Sequence, residues 1–109
     1  MTQKERRAVE VAMGMGEVLQ GAKLVSMVHY SLQVDREYLL ISSWTGRKEI
    51  PIQTLISGQI TVLEGERNFP KVPMLTLRLA DRRAFDFYVT RVDSVSGIYQ
   101  IANAPGDGL

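Results

Sequence analysis

The sequence predicts an α+β fold rich in β structure: an N-terminal helix, then a mostly antiparallel bent sheet or small barrel of six to seven strands. Three observations predict it. Apolar residues recur at helical spacing before Gly21, they alternate at period two after it, and the alternating runs are joined by short connections. Short connections favour antiparallel neighbours, because a parallel pair needs a long crossover. The 109 residues suffice for one domain, 1–109, around one core.

The first element starts at Thr2-Gln3-Lys4-Glu5, which has the form of a capping box. Ala8, Val11, Ala12, Met15, Val18 and Leu19 then form a helical stripe, and Gly21 stands where a glycine cap would close it. This predicts a helix over residues 3–20. Gly14 and Gly16 weaken it, each by about 0.8–1 kcal/mol relative to alanine, so the helix depends on packing.

The β-rich body follows over residues 22–101. Leu24, Ser26, Val28, Tyr30 and Leu32 alternate with Val25, Met27, His29 and Ser31, a strand with two fairly apolar faces. QVDRE (33–37) reads as a connection, YLLISSW (38–44) as a strand and Thr45-Gly46-Arg47 as a turn. Residues 48–52 form a short strand. Pro51 has no N–H to donate, which makes that strand an edge or bulges it. Thr54-Leu55-Ile56-Ser57 suits a single helical turn as well as a strand, and residues 59–63 form the next strand. EGERNFPKVP (64–73) is irregular, with prolines at 70 and 73 that disfavour helix.

RLADRRAFDFYV contains a hairpin. Pairing Leu79 with Phe85 sets Leu77 opposite Phe87, Leu75 opposite Val89, Arg78 opposite Asp86 and Thr76 opposite Tyr88. Apolar side chains then share one face and opposite charges meet on the other. A turn near Ser96-Gly97, a strand over 98–101 and a small, Gly-rich tail (102–109), expected to be disordered, complete the chain.

Composition narrows the function. Thirteen Lys/Arg face twelve Asp/Glu, and the halves 1–54 and 55–109 are each near balance, so neither is a basic arm or an acidic tail. Non-specific nucleic-acid binding, which needs many phosphate contacts, is disfavoured as the main role. The absence of cysteine excludes disulfides, thiolate catalysis and iron–sulfur clusters. No apolar h-region follows the charged start and no long apolar run spans a membrane, so the expectation is a cytoplasmic protein.

Few residues suggest chemistry. His29 is the only histidine, and no GxSxG elbow accompanies it, so it reads as a strand residue rather than a catalytic base. Glu64 and Glu66 lack the further oxygen ligands of a calcium loop and read as solvated acids. Gly14-Met15-Gly16 is no dinucleotide fingerprint; it reads as close approach to a neighbouring backbone, with Met13 and Met15 as a pliable contact in the alternative. No catalytic residue, metal ligand or cofactor is predicted. Arg47-Lys48 and Arg82-Arg83 sit at turns, with aromatics elsewhere in the chain, a composition that small barrels use on single-stranded nucleic acid.

The stretch YLLISSWTGRKEIPIQTLISGQITV resembles the strand–turn–strand of bacterial pleckstrin-homology-like and GRAM-like domains. Tyr38 to Ser43, the turn from Thr45 to Lys48, Glu49-Ile50-Pro51-Ile52 and the segment from Leu55 to Val62 carry the likeness, together with LTLRLADRRAFDFYV. It spans about residues 24–92. The family's closing C-terminal helix has no counterpart after Asp93. Its basic cluster between the first two strands is replaced by the mixed QVDRE, so lipid binding is not implied.

The functional expectation is a non-enzymatic accessory module that docks on another protein or on itself. Its contact residues are Trp44, Arg47, Lys48, Phe69, Arg82, Arg83 and Met15, with the 64–73 loop. The alternative is a small nucleic-acid-binding barrel that uses the basic turns. A structural component of a phage or plasmid is the third reading.

Overall fold

The computed structural model describes residues 2–66, 69, 74–93 and 95–104, and within them the chain is all-β. Six strands occur: β1 (Thr2–Gln20), β2 (Lys23–Ser43), β3 (Gly46–Gly65), β4 (Leu75–Arg78), β5 (Ala84–Asp93) and β6 (Ile98–Asn103). All pairings are antiparallel, and they close in the order β1-β2-β3-β6-β5-β4 back to β1. No helix of the described residues is long and apolar enough to cross a membrane.

The N-terminal helix expected over 3–20 is instead β1, so the fold is not α+β. Alternate residues decide it. Ala12, Gly14, Gly16 and Val18 point into the barrel, while Val11, Met13, Met15 and Glu17 point out. The glycines make room for Tyr30. A Cβ on Gly14 would lie 2.9 Å from the Tyr30 hydroxyl, and one on Gly16 would lie 2.6 Å from the Arg78 carbonyl of β4. The close backbone approach read from Gly14-Met15-Gly16 is present, in a strand. Glu5 caps nothing and pairs with Arg7. Gly21, at φ 61°, lies in the β1–β2 turn.

Two expected breaks are absent. QVDRE lies inside β2, with Gln33 to Glu37 paired on both sides. Thr54 to Ser57 is strand, and residues 46–65 run unbroken as β3. Pro51 meets both expectations: its half of β3 pairs only with β2, and Ile52 bulges between the Tyr38–Pro51 and Glu37–Gln53 pairs.

The hairpin forms two residues out of the expected register. Leu77 faces Phe85, Leu75 faces Phe87, Thr76 faces Asp86 and Arg78 faces Ala84. An even slip keeps the same faces in the core, and Leu75, Leu77, Leu79, Phe85 and Phe87 are all buried. The turn sets the register. Leu79 donates its N–H to the Arg83 carbonyl, the Arg82 N–H donates back to Leu79, and Arg82 takes φ 74°. This is a three-residue loop with a left-handed residue before the bulge. Arg78 therefore reaches Glu17 rather than Asp86.

The core fills the closed part of the sheet, with Val18, Val28, Tyr30, Leu32, Ile60, Phe85, Phe87 and Ile101 at its centre. Tyr30 satisfies its hydroxyl by accepting the Ala80 N–H at 3.1 Å. β4 meets β1 only at residues 17–19, and β6 meets β3 only at 57–61. Beyond those limits β1, β2 and β3 continue as a three-stranded arm, giving the molecule an extent of 57 × 26 × 23 Å.

Candidate functional site

The arm consists of residues 2–9 and 36–55. Residues that pair directly across strands share a face. One face carries Glu5, Arg7, Tyr38 and Glu49. There the Arg7 guanidinium bonds to Glu5 (2.5 Å) and to both oxygens of Glu49 (2.8 and 3.1 Å), with its carbon 4.6 Å from the Tyr38 ring centroid. The Arg7 hydrogen bonds hold the Glu49 carboxyl below the usual carboxylate range. The opposite face carries Leu39 between Lys4 and Ile50, and Ile41 between Thr2 and Lys48. Leu39 and Ile41 are half-buried and Ile50 is 44% exposed. Among the described residues no second layer lies over that face.

At the tip, Trp44 is 97% exposed. The turn is stiffened from below by the Ser43 and Thr45 hydroxyls, 2.9 Å apart, and by the Ser43 hydroxyl donating to the Gly46 carbonyl at 3.3 Å. Arg47 and Lys48 are exposed beside it.

The arm's root is fixed by two polar clusters. Asp35, buried, accepts from Arg6 Nε at 2.7 Å and from Gln33 Nε2 at 2.9 Å. The Gln33 hydrogen bond and then Arg6 hold its carboxyl below the ordinary range, against the opposing effect of burial. Arg83 grips both oxygens of Glu10 (2.7 and 2.9 Å) and pairs with Asp81 at 2.7 Å.

The expected contact residues fall into three places. Trp44, Arg47 and Lys48 meet at the arm tip. Met15, 58% exposed, and Arg82 line one open groove of about 530 Å³ with Met27, Glu17 and Arg78. Phe69 is partly buried against the core, its ring 4.6 Å from that of Tyr99. Arg83 is occupied by its two acids. Tip and groove are far apart: Met27, which lines the groove, lies fifteen residues along β2 from Ser42. Of the 64–73 loop, residues 67, 68 and 70–73 lie outside the described residues, as do residues 105–109 of the tail. Ala102 and Asn103 belong to β6.

His29 is exposed on the outer wall opposite Met15 and Thr61. Among the described residues no group of three or more His, Asp or Glu is placed to hold a metal ion. Sequence reasoning missed the apolar arm face. Its signal was present: QVDRE contains no Gly, Pro or Asn to stop a strand.

Comparisons with family models, with curated proteins and with solved structures each returned no match.

Proposed function

We propose that this chain is a non-enzymatic docking module in which the closed barrel is the rigid base and the arm engages another protein. The observation that carries this is the fully exposed Trp44 at the end of an arm whose Leu39–Ile41–Ile50 face has no second layer over it among the described residues. Tryptophan is enriched among residues that dominate binding energy. The arm's edges are poor templates for strand addition: Pro51 removes a donor, and Val9 and Ile52 are bulged out of register. Contact through face and tip fits better than contact through an edge.

Nucleic-acid binding is the second reading, because Trp44 stands beside Arg47 and Lys48. It is weaker, since Arg83 is neutralised by Glu10 and Asp81 and the two basic turns form no continuous track. The test is a photo-crosslinking residue at position 44, with position 29 on the barrel wall as control. Protein adducts from 44 and none from 29 are expected. Nucleic-acid adducts from 44, or equal labelling from both, would reverse the assignment.

A further inference from the structure

We propose that the docking partner is a second copy of this chain, bound head to tail, with the arm of one copy against the far end of the next copy's barrel. This rests on the docking reading and names its partner. The arm carries six Lys/Arg against three Asp/Glu, and the rest of the chain carries seven against nine. The arm is thus a cation-rich, apolar surface. Lys4 and Lys48 flank its apolar face, and neither has an ion-pair partner among the described residues.

The opposite end of the barrel offers the complement. There β3 ends beside the β1–β2 turn. Leu63 is the extra residue between the Val28–Val62 and Met27–Glu64 pairs and is 51% exposed; Leu24 is 50% exposed. Glu64 and Glu66 follow, exposed and without an ion-pair partner among the described residues. Apolar surface with two acids, Glu64 and Glu66, against one cation, Lys23, meets apolar surface flanked by Lys4 and Lys48.

Geometry removes the other ways of satisfying these surfaces with this chain. Within one copy they lie at opposite ends of a 57 Å molecule. A symmetric dimer through the apolar arm faces would bring together two surfaces that each carry Lys4 and Lys48. Arm and barrel end are different surfaces, so their contact is heterologous and propagates into a ring or a filament.

The test uses the full chain, with light scattering after gel filtration across a wide concentration range, and two variants: Trp44→Ala in the arm, and Glu64→Lys/Glu66→Lys at the barrel end. All three side chains are exposed, and thermal unfolding checks that both variants fold. The wild type is expected above monomer mass, rising with concentration. Each variant alone is expected to be monomeric. An equimolar mixture is expected to form a heterodimer and nothing larger, because one intact arm and one intact barrel end remain. A wild type that stays monomeric, variants that assemble like it, or a mixture that stays monomeric would overturn the proposal. If the wild type is monomeric while position 44 still crosslinks a different protein, the second copy is wrong and the docking reading stands. If position 44 crosslinks nothing, both fall.

Discussion

Asn103 does with its side chain what β6 does with its backbone up to Ala102. Its carboxamide donates to the Thr54 carbonyl and accepts the Ile56 N–H, each at 2.9 Å, extending the β6–β3 ladder to the root of the arm. Asn103→Ala leaves a buried N–H without its acceptor, so a loss of about 1–3 kcal/mol is expected in denaturant titration. Asn103→Asp keeps an acceptor for Ile56 but faces the Thr54 carbonyl with an oxygen, and should also destabilise. Asp35 gives a prediction in pH. Its carboxyl is held below the usual range by Gln33 and Arg6, so its contribution is complete above the unfolded aspartate value of about 3.9. It is lost as pH falls through the lower folded value. Asp35→Asn should flatten the acid limb of stability against pH and leave the neutral region flat; an unchanged acid limb would show that other carboxylates govern it.

At the scale of elements, the shortest joint of the barrel is β1 against β4, with three residue pairs and the Glu17–Arg78 ion pair at 2.9 Å. Gly16→Ala would set a methyl 2.6 Å from the Arg78 carbonyl and push that joint apart. Overpacking costs about 1–3 kcal/mol, and hydrogen exchange should show residues 17–19 and 76–78 losing protection before β2 and β3. The same glycines explain why β1 read as a helix. Its inward face is Ala12, Gly14, Gly16 and Val18, which carries little hydrophobic signal at period two. Its outward face is Val11, Met13 and Met15, apolar and exposed, so adding them across faces completes a helical stripe. The strand after Gly21 was legible because Val28, Tyr30 and Leu32 are large and alternate with smaller or polar neighbours. In the hairpin the apolar faces were legible and the register was not. Residues two apart present the same faces, and only the left-handed Arg82 selects between them. At the candidate site, Arg47 and Lys48 were legible as a basic turn and Trp44 as the end of the strand before it, whereas the shared face of Leu39, Ile41 and Ile50 depends on a pairing that only the fold shows.

Over the whole molecule, charge illustrates what linear reading hides. Split at residue 54 the chain is nearly neutral on both sides, but the arm is assembled from two separated stretches, and only the fold gathers their cations. Arm and barrel also differ in how they are held. The barrel closes on itself around Phe85, Phe87 and Leu77, each 2% exposed or less, while the arm is one layer thick and has two open edges. Local openings should therefore cost less in the arm than in the barrel, and arm amides should exchange first. Replacing residues 40–49 by Asn-Gly tests this separation directly. Leu39 and Ile50 already face one another, so a two-residue turn closes the shortened hairpin with every strand pair below it kept, and of the side-chain pairs described Arg7 loses Glu49. A loss of about 1 kcal/mol moves the unfolding midpoint by about 4–8 °C in a domain near this size. If the arm's end serves docking, the shortened chain should keep its midpoint within that interval and lose assembly. A larger drop would mean that the arm's end is part of the barrel's cooperative unit, and loss of assembly in that variant would then reflect a damaged fold.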